Sequence, residues 1–234
     1  MPGWDWRRRQ CEAERMDDPN LAESAHRQAL RELARLNRWG LAVWHLWPKL
    51  SGLARRLGRS LRILDLATGG GDIPIALAKR AARRGWQWQV AGCDVSPTAI
   101  AYACEQAQKH QVAVEFFVCD VLRENWPGDW DVVMCSLFLH HLREERAVAL
   151  MQRMGEAGRH LVLISDLERL PVHYGLVWLA TRLLCRSPVV RADGPISVRA
   201  AYSISEVRRL AQAAWGSGFR LRRRPPARWL LVKG

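Results

Sequence analysis

The sequence predicts an α/β fold: a largely parallel sheet with helices on both faces. Three observations predict it. Residues 62–82 pass from an apolar run through consecutive glycines into a helical pattern; short apolar segments alternate with helical stretches over residues 60–167; and three of those segments end in aspartate. A chain of 234 residues is long enough for a substantial core.

Taken in order, residues 1–58 form an N-terminal extension. Asp17-Asp18-Pro19-Asn20 reads as a helix start, with Asn20 as cap. Leu21, Ala25, Ala29, Leu33, Leu36 and Trp39 follow in near-helical spacing. A second amphipathic stretch, Leu41 to Leu57, carries Pro48 and Gly52, which predict a kink or break. These helices either cover a site or pack on the sheet edge. The main domain spans residues 59–234. Its first strand, Ile63-Leu64-Asp65-Leu66, turns through Gly69, Gly70 and Gly71 into a helix over Ile73–Ala82. Such a turn brings backbone N–H groups and a helix N-terminus close to a ligand. Gln89–Asp94 and Val114–Asp120 read as the second and third strands, Asp131–Ser136 as the fourth and His160–Asp166 as the fifth.

The glycine loop discriminates between ligands. A phosphate-cradling loop requires Lys-Ser or Lys-Thr after the glycines, and none follows. A dinucleotide loop requires a third spaced glycine; here Asp72, Ile73 and Pro74 follow Gly71, and Asp72 would repel a pyrophosphate. The spacing Asp65-x-Ala67-x-Gly69-x-Gly71 resembles the first motif of class I S-adenosylmethionine-dependent methyltransferases, Asp/Glu-x-Gly-x-Gly-x-Gly, with alanine at the first glycine position. That cofactor carries a sulfonium and an ammonium but no phosphate, so acids near the loop are tolerable. The resemblance implies a Rossmann-like seven-stranded methyltransferase sheet. It implies that Asp65 orients the methionine end, with Ala67, Gly69 and Gly71 alongside. Asp94, with Val95 next to it, would accept the ribose hydroxyls. Asp120 would meet the adenine amino group, with Val121 on the ring. Taken singly, Asp65 could hydrogen-bond its own loop, and Asp94 or Asp120 could be a helix cap or turn former. The segment Leu137-Phe-Leu-His140-His141-Leu142 is similar to the stretch after strand four in many small-molecule methyltransferases, which implies that Ser136 and His141 lie by the cofactor.

After strand five the family pattern expects a short link. Here the next helix is expected at Ser205–Ala214, with Ser205 as cap, and the last strands at Phe219–Leu221 and Trp229–Val232. Residues 167–204 are therefore an insertion, read as a helix over Val172–Arg186 and then a loop. Long loops in compact domains are usually functional, and the position suits a substrate lid. Tyr174, Leu176, Arg182 and Tyr202 are its candidate acceptor-binding residues. His140 and His173 are the candidate bases for removing a phenolic proton. Helix arginines such as Arg182 have solvation as the alternative reading.

The formal charge of +13 invites a nucleic-acid or anionic-membrane reading, but the excess is mostly arginine scattered along the chain. No Asn/Asp-Pro-Pro-Tyr/Phe motif follows strand four, and Cys135 is followed by serine rather than proline. These absences disfavour RNA and DNA as substrates. Six cysteines include no Cys-x-x-Cys pair, so no zinc site is expected, and their pattern fits a reducing cytoplasm. The apolar stretch Gly175–Cys185 is too short to span a bilayer, and Trp4, Trp6 and Arg7–Arg9 do not read as a signal peptide. The later segments Ser165–Arg169, Arg186–Val190 and Asp193–Val198 resemble bacterial quinone-type methyltransferases, especially those beside type III polyketide synthases. That likeness implies O-methylation of a phenolic or quinone-like acceptor, polyketide or lipid-tailed, met near a membrane surface. The alternatives are a nucleic-acid methyltransferase and a non-catalytic cofactor-binding partner.

Overall fold

The computed structural model describes residues 5–234, so Trp4 lies outside the described residues. The strands are β1 (Arg62–Leu66), β2 (Gln89–Asp94), β3 (Glu115–Val118), β4 (Trp130–Ser136), β5 (Gly158–Leu167), β6 (Phe219–Arg224) and β7 (Arg228–Lys233). They form one seven-stranded sheet in the order β3-β2-β1-β4-β5-β7-β6. Strands β1 to β5 pair in parallel, and β7 runs antiparallel to both β5 and β6. The chain steps outward from β1 to β3, then returns to lay β4 on the other side of β1. This reversal opens a crevice at the carboxyl ends of β1 and β4, where ligands bind in open α/β sheets.

The helices are α1 (Glu23–Trp39), α2 (Ala42–Leu57), α3 (Asp72–Ala82), α4 (Pro97–Lys109), α5 (Glu144–Ala157), α6 (Pro171–Leu184), α7 (Pro188–Ala200) and α8 (Ile204–Trp215). Because successive strand residues face opposite ways, Ile63, Val132, Met134 and Leu163 pack with α2 and α3 on one face. Leu64, Leu66, Val133, Cys135 and Ile164 pack with α5 and α8 on the other.

Four local expectations are corrected. Helix α1 begins at Glu23 after Ala22, with no side-chain cap, rather than at Asn20. Helix α2 runs unbroken through Pro48 and Gly52, because Leu46, Trp47, Leu50, Leu53 and Ala54 are buried along it. Burying those side chains outweighs a helix-interior proline cost of roughly 3 kcal/mol. The segment read as a loop after Arg186 is the helix α7, capped by Ser187, with Pro195 inside it. Finally, Ser203 rather than Ser205 caps α8, and Glu206 closes a capping box with it.

The N-terminal extension and the 167–204 insertion pack on each other. Ala29, Leu33 and Leu36 of α1 join Cys185, Val189 and Val190, with Met16 and Leu21 at the edge. Acids knit the two together. The buried Glu32 carboxylate accepts the Arg186 and Ser187 N–H groups at 3.0 and 2.8 Å, satisfying donors at the start of α7. Asp193 accepts the Arg15 and Met16 N–H groups, both at 3.0 Å. Helices α6 and α7 cross closely at Gly194, where a side chain would meet Thr181 at 2.8 Å and Val177 at 3.2 Å.

Candidate active site and its cap

The loop after β1 takes its shape from residues in the left-handed region. Gly69 and Gly71 have φ of 54° and 71°, and a side chain on Gly71 would meet the Phe116 ring at 2.5 Å. Ala67, at the position where the family motif has glycine, also has a positive φ, 51°. The loop therefore keeps the glycine conformation with an alanine in place.

Asp65 is 2% exposed. Its Oδ2 accepts the Thr68 hydroxyl at 2.7 Å, while Oδ1 is buried with no hydrogen-bond partner. Burial, reinforced by the charges of Asp72 and Asp94, raises its pKa to about 8. Asp94 accepts the Gly69 N–H on Oδ2 at 2.8 Å and the Ser96 N–H on Oδ1 at 2.9 Å. Burial outweighs those bonds and raises its pKa as well. Asp72, at the start of α3, is raised by burial and accepts from Asn37 of α1 at 3.1 Å. Asn37 in turn accepts from the buried Arg228 at 2.6 Å, whose other terminal nitrogen, Nη1, has no partner. An unpaired carboxylate oxygen and an unpaired guanidinium nitrogen thus flank Asp72. Together they suit a ligand that carries both an ammonium and a carboxylate. Asp120 holds its own turn, accepting the Leu122 N–H at 2.9 Å and lying 3.4 Å from Arg123.

Helix α1 lies over this cleft. Leu30 packs with Ala99 and Tyr102 of α4, and His26 is close enough to Asp94 for the two charges to shift each other. Beside the cleft, the turn after β4 places His140 and His141 against the N-terminal arm. His140 is buried, its Nδ1 is 2.8 Å from Asp166 Oδ1, and its Nε2 is 3.4 Å from Glu14 Oε1. Burial alone would lower its pKa; the charge and hydrogen bond of Asp166, with those of Glu14, raise it to about 10. The His141 Nδ1 lies 3.1 Å from Asp17 Oδ2.

Comparison with known proteins bears on what this cleft holds. A methyltransferase-domain family model matches residues 63–160. A demethylmenaquinone methyltransferase of Deinococcus radiodurans is 32% identical over 195 residues, covering 79% of this chain and 78% of its own. The chain belongs to the class I S-adenosylmethionine-dependent methyltransferases. A ubiquinone biosynthesis O-methyltransferase of Pseudomonas aeruginosa is 29% identical over 48% of this chain and 47% of its own. The magnesium protoporphyrin IX methyltransferase of Synechocystis PCC 6803, solved with bound S-adenosylmethionine, superposes with a TM-score of 0.56 at 17% identity, covering 93% of this chain and 86% of that one. The fold expected from the glycine loop is thus the fold found, and S-adenosylmethionine is the cofactor.

The remaining expected residues of the methyltransferase are scattered. Val95 is exposed at the end of β2, while Val121 is buried in the core. Ser136 has a buried hydroxyl without a partner. Tyr202 is in the core, its hydroxyl donating to Leu142 O at 2.7 Å and the Arg9 guanidinium 3.6 Å above its ring. That placement corrects the expectation that Tyr202 lines the acceptor site. Arg182 is exposed and stacks at 4.0 Å over Trp178, on the solvent side of α6. Leu176 is 44% exposed and faces outward, which corrects the expectation that it binds the acceptor. Tyr174 meets Trp6 edge-on at 5.7 Å. His140 has both ring nitrogens facing carboxylates, Asp166 and Glu14, and is not arranged as a base toward an acceptor. His173 Nδ1 lies 3.0 Å from the Glu168 carbonyl, which fixes the proton there and leaves Nε2 as the accepting nitrogen. Sequence reasoning missed Glu14, Asp17, Asn37, Asp166 and Arg228. Asp166 alone had a signal, an acid ending a parallel strand.

Proposed function

We propose that this methyltransferase alkylates a hydroxyl oxygen of a phenolic or quinone-like small molecule. The observation that carries the reading is the cluster of acids beneath α1 and the N-terminal arm. Carboxylates of Asp65, Asp72 and Asp94 line one end, those of Glu14, Asp17 and Asp166 the other, and α1 lies across it. A nucleic acid would bring phosphates to these acids and a polymer to residues that α1 covers; a small neutral phenol meets neither obstacle. The quinone-acting relative that spans most of the chain supports the same acceptor class.

In this reading Asp65 Oδ1 takes the ammonium of S-adenosylmethionine and Arg228 Nη1 its carboxylate. Asp94 accepts the ribose hydroxyls, with Val95 beside it, and Asp120 meets the adenine. Ala67, Gly69 and Gly71 give the loop its close approach, and Ser136 and His141 border the methionine end. The bound cofactor supplies an activated methyl carbon. The chain's task is then to hold the acceptor oxygen in line with that carbon and remove its proton. His173 Nε2 is the base. The extension 1–58 and the insertion 167–204 act together as cap and lid, with Tyr174 on the acceptor side. The outward row Val172, Leu176, Leu179 and Leu183, spaced along one face of α6, supports contact with a membrane surface that delivers a lipid-tailed acceptor. Among the described residues no helix is long and apolar enough to cross a membrane. Incubation with methyl-deuterated cofactor and a panel of phenols and hydroquinones, read by mass spectrometry, tests the reading: labelled aryl ethers support it, and label on RNA, DNA or protein instead overturns it.

A further inference from the structure

We infer that Glu14, His140 and His141 form a binding site for a divalent transition metal, with zinc favoured by the donor set. Each offers one ligand atom, and these atoms all lie within 4.8 Å of one another. The site stands on its own geometry; its role toward the acceptor rests on the function proposed above.

Distances separate an ion site from a simple ion pair. His140 Nε2 and Glu14 Oε1 are 3.4 Å apart, and His141 Nε2 and Glu14 Oε2 are 3.9 Å apart. A charge-assisted N–H···O bond contracts to about 2.7–2.9 Å. Two ligands of one tetrahedral zinc, each at about 2.0–2.1 Å, stand roughly 3.3–3.4 Å apart. The first separation matches shared coordination; the second, to the other carboxylate oxygen, is wider and would close by about half an ångström around an ion.

The groups behind the ligands point the same way. Metal-bound imidazoles almost always donate their other N–H to a carboxylate or carbonyl, which fixes the tautomer and the ring orientation. Asp166 does this for His140 at 2.8 Å, and Asp17 does it for His141 at 3.1 Å. The Ser197 hydroxyl donates to Glu14 Oε1 at 2.5 Å. The frame is rigid: Asp166 also accepts the His140 and Leu167 N–H groups at 3.1 and 2.7 Å, and Arg9 binds the His140 carbonyl at 2.7 Å. Three carboxylates therefore face two imidazoles; a dication would take the place of the proton on His140 Nε2 and offset two of the three negative charges.

Two histidines and one glutamate form a donor set of catalytic zinc sites, which keep a fourth position for water or a substrate oxygen. Here that position would take the acceptor hydroxyl and make its proton easier to lose. Because Glu14 comes from the N-terminal arm and the histidines from the turn after β4, the same ion would latch the cap onto the core.

The test uses tag-free, full-length protein stripped with chelator and titrated with cobalt(II) chloride alone. We expect one equivalent to give visible d–d bands of four- or five-coordinate cobalt, without the near-ultraviolet thiolate band that the cysteines would produce, and zinc to displace it. His141→Ala, on the more exposed side, should weaken binding at least tenfold, as should Glu14→Gln; circular dichroism checks that each variant folds. No cobalt spectrum, or equal binding by wild type and a folded His141→Ala variant, would overturn the inference. Calorimetry with S-adenosylhomocysteine on the stripped protein separates the two readings. Cofactor binding without cobalt binding sinks only the metal site, and cobalt binding without methyl transfer to any phenol sinks only the proposed function.

Discussion

With Asp65 taking the cofactor ammonium as proposed, cofactor binding is expected to be pH-dependent in a direction set by the burial of that carboxyl. Its carboxyl is 2% exposed, one oxygen lacks a partner, and burial together with Asp72 and Asp94 lifts its pKa from 3.8 to about 8. In the ligand-free protein at pH 6 it is therefore protonated. A bound ammonium favours the ionised form, so binding releases a proton and the affinity climbs until the ligand-free carboxyl is itself ionised. With a pKa near 8, about 1% is ionised at pH 6 and about half at pH 8, which predicts a gain of roughly 50-fold, or about 2.3 kcal/mol. S-adenosylhomocysteine is the suitable probe, since it keeps the ammonium. Calorimetry between pH 6 and 8, in buffers of different ionisation heat, should count close to one proton released per mole near pH 6. Asp65→Asn should flatten the profile to the shallower dependence left by Asp94, whose pKa is also raised. An affinity that stays level or falls over this range in the wild type, or an unchanged slope in Asp65→Asn, would refute the reasoning.

Three further outcomes are expected. Ala67→Gly should raise the thermal midpoint, because an L-residue at a φ of 51° carries left-handed strain; the gain is about 1 kcal/mol, opposite in sign to an ordinary alanine-to-glycine change. His173→Ala should lower kcat for a phenol of high pKa by about 100-fold and for an acidic nitrophenol far less, with cofactor affinity unchanged; equal losses on both would remove His173 as base. Leu179→Glu and Leu183→Glu, at positions 48% and 73% exposed, should abolish co-sedimentation with anionic vesicles while leaving the fold and cofactor affinity intact; retained vesicle binding would detach α6 from the membrane.

The parts of the fold legible in the sequence are those where one local pattern decides the structure. Ile63 to Ala82 is legible because a buried parallel strand, a left-handed turn and a helix each leave a mark in consecutive residues. The insertion was half legible. Asp193-Gly194-Pro195 has the composition of a turn, yet it lies inside α7. The missing side chain of Gly194 admits α6, Asp193 accepts two arm N–H groups, and burial along α7 offsets the proline. None of those partners is near in sequence. The expectation that Leu176 meets the acceptor fails for a related reason. Helical periodicity locates an apolar face but does not say whether protein or something else covers it. The acids of the site divide in the same way. Asp65, Asp94 and Asp120 each lie at or close to the carboxyl end of a strand and are legible in order. Glu14 and Asp166 meet His140 across gaps of 126 and 26 residues, so only the folded chain brings them together.

Methyl transfer from S-adenosylmethionine to the hydroxyl of a small aromatic acceptor is what we propose this protein does. The most direct measurement is single-turnover incubation of the purified protein with methyl-deuterated cofactor and a polyphenol or hydroquinone. Product mass and S-adenosylhomocysteine are followed together. One trideuteromethyl group on an oxygen is expected for each cofactor consumed, in wild type and not in Asp65→Asn at matched low cofactor. Deuterium on carbon or nitrogen, on a polymer, or cofactor bound for many hours beside a range of phenols with no transfer would contradict it.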